Sequence, residues 1–332
     1  MSRRWVGLGA VSAAVVAAGF TDILNPDIAA AQTYPARPIR MVVGFSPGGP
    51  ADVMARLIGQ HMAMTLGQPI VVENRAGAGG TIAARFVAES EPDGYTLLLG
   101  NTSTLVISPL MYKNVGYDAL KAFAPIARLG TTSDILVTNP KFPAKSLPEL
   151  IAFAKANPGK LNFSTPGIGT PPHLIGEMLK LMAGIEIVHI PYKSGGQSIQ
   201  AVVAGEVQFT FENPAVALPL VQAGVVRALA VTSAARHPQA PDVPTMVEGG
   251  LPDFVSVSFT GVVGRAGIPG NIVAKLNSVI NESLKSPDVA ATLEKLAVDV
   301  KNETPAQFAA FLAEEMTTMT PVIQAAGLQG AE

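Results

Sequence analysis

The chain has 332 residues, 48% hydrophobic and 14% charged, with 23 Lys and Arg against 25 Asp and Glu, a net charge of −2. That apolar share excludes global disorder, and the absence of any basic run argues against nucleic acid as a partner. With no cysteine, disulfides, thiolate metal sites and thiol catalysis are excluded as well.

Met1 to Ala31 has the outline of an export signal. Arg3 and Arg4 precede an apolar stretch from Trp5 to Phe20, and Ala29-Ala30-Ala31 offers a small-residue cleavage site. The stretch is short and rich in Gly and Ala for a membrane span, although an uncleaved anchor would share its outline. Twin-arginine and general export both fit. The expectation is a periplasmic protein whose signal is removed near Ala31.

Beyond it, strand-like runs alternate with helical patterns, the signature of an α/β fold with a parallel sheet. Ile39 to Phe45 reads as a buried strand, and Pro50 to Met64 follows with helical spacing. Ile70 to Glu73 is a second strand, then come a glycine loop, a helix from about Thr81 and a third strand at Thr96 to Leu99. Ile135 to Thr138 enters a new unit. Ser146 and Glu149 form a capping box for a helix to Ala156. Leu161 to Ser164, Ile185 to His189, Val207 to Phe211 and Arg227 to Val231 continue the strands. The tail is helical over Pro269 to Leu284, Asp288 to Leu296 and Pro305 to Ala325, the last behind a Thr304–Gln307 capping box. This length favours two lobes joined by crossing strands, with a cleft beyond the strand ends.

Five loops have the form of a strand end, small residues and a helix start: Gly44 to Asp52, Arg75 to Thr81, Gly100 to Ser103, Ser164 to His173 and Phe211 to Pro214. Such turns gather backbone N–H donors at a helix N-terminus and suit an anion without an arginine. They also serve ordinary α/β turns, so their number carries more weight than any one of them. Nucleotide motifs fail: Gly77 and Gly79 begin a G-x-G-x-x-G, but Ile82 takes the last position, and no Walker loop exists. Gly44-Phe-Ser-Pro-Gly48 is formally a G-x-S-x-G elbow, with His173, His189 and His237 as partners on paper. Pro47 cannot lend the N–H that an oxyanion hole needs there. His173 and Glu177 are the only tidy i, i+4 ligand pair, too few for a metal site. Neither metal nor cofactor is expected. Asp52 and Arg56 could equally stabilise their helix or line a site.

Tyr34 to Arg40, Phe45 to Asp52, Val72 to Gly80, Pro92 to Leu97, Ser164 to Glu177, His189 to Lys193, Arg227 to Val231 and Pro241 to Thr245 resemble, in order, the substrate-binding proteins of tripartite tricarboxylate transporters, the Bordetella uptake gene type. The resemblance implies a two-lobed periplasmic binding protein of type II, with two crossovers. Lobe 1 would span 32–132 plus 231–332 and lobe 2 would span 133–230. It implies capture of a small carboxylate, in the first instance a dicarboxylate, without catalysis. It also implies a large and a small integral membrane subunit as partners. Carried over by position, Phe45, Ser46, Gly48, Gly49 and Asp52 would hold one end of the ligand with Thr102 and Ser103. Thr165, Gly167, Gly169, Thr170 and His173 would supply the other lobe's side, and Asn213 would line the wall. The chain departs from the family at Gly44 and Ser46 (often proline), Glu212 (commonly Asp) and Phe259 (frequently Trp). A monomer suits this role. The alternatives are an extracytoplasmic sensor subunit and an exported hydrolase using Ser46.

Overall fold

Parallel strands need a helical return between them, and the chain supplies one after each of its early strands. In the computed structural model, which describes residues 34–330, β1 (Ile39–Val43) leads through α1 (Pro50–Leu66) to β2 (Ile70–Asn74). A 3-10 turn and α2 (Thr81–Ala88) then lead to β3 (Thr96–Asn101). A π-helical turn (Ser103–Ile107) and α3 (Ser108–Met111) precede the long β4 (Phe123–Ser133). The export-signal reading of Met1 to Ala31 lies outside the described residues.

After Asp134 the chain builds a second sheet. Its elements are β5 (Ile135–Thr138), α4 (Leu147–Ala156), β6 (Leu161–Thr165), α5 (Pro171–Ala183), β7 (Ile187–Pro191), α6 (Gly195–Ala204), β8 (Phe209–Glu212), α7 (Pro214–Gln222) and β9 (Arg227–Val231). It returns through β10 (Val257–Arg265), α8 (Gly270–Ser283), α9 (Pro287–Lys295), β11 (Asp299–Val300) and α10 (Pro305–Ala325). The first sheet has the order β11-β4-β10-β3-β1-β2 and the second β7-β6-β8-β5-β9.

Neither sheet is wholly parallel. β10 runs antiparallel to both β3 and β4, and β5 runs antiparallel to β8 and β9. Periodicity does not reveal β4 or β10 because both are broken by residues that strands disfavour. Pro125 sits beside the irregularity between Val262 and Val263, where a missing N–H is tolerated. Gly261 is required by packing: a Cβ there would stand 2.5 Å from Phe308 Cζ. Elsewhere the expected elements form, with ends displaced by a few residues. The Thr304 capping box is complete. At α4 only half forms, since Ser146 Oγ accepts from Glu149 N while the Glu149 carboxylate accepts from Lys145 N.

The last helix ties the two sheets together. α10 packs against β4 of the first sheet and against α5 of the second. Phe308 is fully buried, set edge-on to Phe259 at 6.0 Å between centroids. No helix among the described residues is long and apolar enough to cross a membrane. Phe308→Ala should cost about 3–5 kcal/mol, the usual range for emptying a buried aromatic site. Urea unfolding checks this; a loss under 1 kcal/mol would show that α10 does not brace the sheets.

Candidate functional site

The carboxyl ends of β1, β2 and β3 in one sheet, and of β6 and β8 in the other, carry the marked loops. Both chain crossings join the sheets at those same ends. β4 leaves and β10 enters the first sheet there, while β5 enters and β9 leaves the second. The loops of the two halves are thus gathered around one cleft, the usual ligand position in α/β proteins. They approach closely at Gly169, whose Cβ, if present, would stand 2.9 Å from the Sδ and Cε atoms of Met111 in α3.

The first half rests on main-chain contact. A Cβ on Gly44 would lie 2.6 Å from Gly80 Cα, so the loops after β1 and β2 touch backbone to backbone. Asn74 donates Nδ2 to Phe45 O at 3.0 Å and accepts from Arg56 Nη2 at 3.2 Å. Asp52 Oδ2 in turn accepts from Arg56 Nε at 3.0 Å and Gly48 N at 2.9 Å. The Arg56 and Gly48 hydrogen bonds hold the Asp52 carboxyl down to about 2. Its Oδ1 is an ion-pair partner of Arg56 Nη2 at 2.9 Å, though misaligned for a hydrogen bond. Asp52 therefore braces its own loop. Thr102 Oγ1 accepts from Phe259 N at 2.8 Å, fixing the β3 loop to β10. Ser46 is exposed and Ser103 half-buried, and neither hydroxyl has a partner among the described residues. The backbone N–H groups of Phe45, Ser46 and Ala51 are likewise unpaired among the described residues, beside Gly48 and Gly49.

The second half spends its donors on itself. Thr165 is fully buried, with Oγ1 2.6 Å from His189 Nε2 and accepting from Gly167 N at 3.2 Å. Thr170 Oγ1 donates to Gly167 O at 2.7 Å. Gly169 N donates to His173 Nδ1 at 3.1 Å, so His173 acts as an acceptor for its own loop. Pro171 and Pro172 open α5 and have no N–H to offer, while His173 N bonds Thr170 O. The expected cluster of free backbone donors at this helix start therefore does not form. Asn213 Oδ1 caps α7 by accepting from Ala215 N at 2.8 Å.

His189, which the sequence reading used only as a paper partner for Ser46, stacks on His173 with centroids 3.9 Å apart. Burial lowers both imidazoles to about 4, with Lys180 adding to the effect on His173 and His173 adding to that on His189. Both rings serve the second-half loop, and no base among the described residues is hydrogen-bonded to the Ser46 hydroxyl. Two cavities of about 600 and 660 Å³ lie away from the strand-end loops. One is lined by Asn139, Phe142 and Gln208, the other by Arg128, His237 and Phe311 on the flank of the crossings.

Residues 54–328 match the family described as the tripartite tricarboxylate transporter family receptor. The chain belongs to that family. Among curated relatives, protein BugT of Bordetella pertussis is 39% identical over 298 residues, 90% of this chain and 91% of that one. A solved structure of R. palustris Rpa4515 with adipate is 31% identical, with a TM-score of 0.74 over 90% of this chain and all of that one. MatC from Rhodopseudomonas palustris with bound malate is 34% identical, with a TM-score of 0.71 over 87% of this chain and all of the other. The receptor is thus a solute-binding protein of the two-lobed periplasmic type, not an enzyme, which removes the hydrolase alternative.

The histidine pair carries a pH prediction. In the fold the imidazoles stay neutral, whereas the unfolded chain takes up protons below about 6.5. Their contribution is therefore present above that value and lost as pH falls toward 4. Asp134, Glu212 and Glu315, raised by burial, act in the opposite sense. Comparing variants separates the two. His173→Gln should lose about 2 kcal/mol less than wild type between pH 7 and 5, from 1.36 kcal/mol per pH unit over the 1.5 units below 6.5. Parallel denaturant titrations at both pH values measure it, and equal losses would show that His173 is not held neutral.

Proposed function

We propose that this receptor captures a small organic anion, with a dicarboxylate as the expected class, and hands it to a large and a small integral membrane subunit. The lobes would be 32–132 with 231–332 and 133–230. The protein would act as a periplasmic monomer after cleavage near Ala31. The observation that carries this reading is the first-half edge, which holds the unpartnered Ser46 and Ser103 hydroxyls and the N–H groups of Phe45, Ser46 and Ala51, unpaired among the described residues. Free donors without a cation suit a carboxylate that must be released again. The adipate and malate complexes of relatives above 30% identity support the same ligand class.

In this reading Phe45, Ser46, Gly48, Gly49 and Ser103 form the carboxylate cradle, with Asp52 and Thr102 holding its shape. Thr165, Gly167, Gly169, Thr170 and His173 form a rigid opposing wall that closes onto the ligand, with Asn213 at its side. Closure would bury the ligand, and unloading would require the membrane partner to favour the open form.

Thermal shift against succinate, malate, adipate, citrate and benzoate tests the ligand class. A true ligand at 100 times its Kd adds about 2.7 kcal/mol, which at roughly 2–4 °C per kcal/mol raises Tm by several degrees. Ser46→Ala should then weaken binding about tenfold, the cost of one hydrogen bond to a charged group. A Tm unmoved by every acid removes the carboxylate reading. Full affinity in Ser46→Ala removes that hydroxyl from the cradle.

A further inference from the structure

The π-helical turn after β3 leaves one carbonyl without a main-chain donor, and a side chain from further along the chain takes its place. Ser108 N, which in an α-helical turn would bond Thr104 O, bonds Ser103 O instead. The next donor, which a continued π register would give to Thr104 O, is missing because Pro109 has no N–H. Thr104 is 1% exposed, so its carbonyl needs a partner from within the protein. Tyr117 supplies one: its phenol Oη donates to Thr104 O at 2.6 Å. Burial pushes the pKa of that phenol up, so it stays a donor throughout the physiological range. The ring lies edge-on to Phe123, 5.5 Å between centroids, which holds it in place.

Thr104 also ties the strand-end loops of the first half to one another. Thr104 N donates to Asn101 Oδ1 at 3.0 Å. Its Oγ1 lies 3.1 Å from Asn101 Oδ1 and 3.2 Å from Gly79 O, with one hydrogen to share between them. Gly80 has to lack a side chain here, since a Cβ would stand 2.5 Å from Thr104 Oγ1 and 3.6 Å from Phe45 Cε2. Ser103 opens the turn, half-buried, and its hydroxyl has no partner among the described residues. Where that hydroxyl points is therefore set by the register of the turn and by nothing attached to the side chain itself. In an α register Thr104 O would take Ser108 N, and Ser103 would swing about the helix axis. Tyr117 occupies Thr104 O and so closes that alternative.

We propose that Tyr117 is a positioning residue of the binding site, which holds the turn in its π register and thereby aims the Ser103 hydroxyl at the bound anion. The proposal rests on reading the first-half loops as the anion cradle. Tyr117 is not placed against the ligand, so its whole effect on binding passes through Ser103.

A double-mutant cycle tests this route, with succinate, malate, adipate, citrate and benzoate titrated by calorimetry into the wild-type receptor, Tyr117→Phe, Ser103→Ala and the double variant. Tyr117→Phe keeps the ring against Phe123 and removes only the hydroxyl, and a denaturant titration checks that the variant is folded. An acid that binds the wild type should bind Tyr117→Phe about tenfold more weakly, as expected for one misdirected hydrogen bond to a charged group. Ser103→Ala should weaken it to a similar degree, and the double variant should bind no more weakly than Ser103→Ala alone. A tyrosine that only stabilised the fold would cost the same in both backgrounds, so additive losses overturn the route through Ser103. Unchanged affinity in folded Tyr117→Phe overturns the positioning role and leaves the cradle in place. A wild-type receptor that binds none of the acids overturns the cradle and the positioning role together.

Discussion

Two stretches of chain pass between the sheets, and they are fastened to each other at one point. Thr232 N donates to Asp134 O at 3.0 Å, while Thr232 Oγ1 accepts from Asp134 N at 2.9 Å. Ser256 N closes the arrangement on Thr232 O at 2.9 Å. The loops meet where they do because this fastening lies at the carboxyl edges of both sheets. A connection at the opposite edges would turn the strand-end loops outward and leave no cleft. Crossing strands of this kind are a common place for two packed units to hinge.

On either side of that fastening the two halves use the same residue types for different ends. In the first half, glycine brings main chain against main chain, and the Asn74–Arg56–Asp52 chain of hydrogen bonds fixes a loop whose one hydroxyl residue, Ser46, is exposed. In the second half, serine and threonine hydroxyls and both histidines bond inward. Prolines at the first two positions of α5 remove the donors that a helix start ordinarily offers. The stacked rings of His173 and His189, laid over Phe163, pack this loop as firmly as a piece of core.

Most of the fold was legible because most of its strands are short, apolar and bounded by turn residues. Ile39 to Val43 and Arg227 to Val231 are the plainest cases. β4 and β10 were not legible, since Pro125, Gly130, Gly261 and Gly264 interrupt them. What makes them strands is pairing to each other and to β3, a long-range property with no local pattern. The site divides the same way. Spacing alone located the loops at Phe45 to Asp52 and Ser164 to His173, because strand, glycine and helix start follow in order. Spacing could not say which way a hydroxyl points. Thr165 and Ser46 look alike as residues, yet one is fully buried against an imidazole and the other is exposed. The Asp52–Arg56 pair resolved toward scaffolding for a reason invisible in sequence, the arrival of Asn74 from the neighbouring strand.

This division of labour bears on how such a receptor releases what it captures. In the proposed reading, a cradle of neutral donors in one half would hold a carboxylate without a fixed opposite charge, so parting the lobes would return the ligand to water at modest cost. The opposite wall, whose donors bond inward, would then supply shape and exclude water when the lobes meet. The binding energy would then depend on closure, and a partner that opened the crossing would remove most of it at once. An arginine clamp would bind more tightly in both states and blunt that difference, since only a ligand held differently in the two states can be driven from one to the other. In that reading, the use of neutral donors in place of a cation is what would let a conformational step decide whether the ligand stays or leaves.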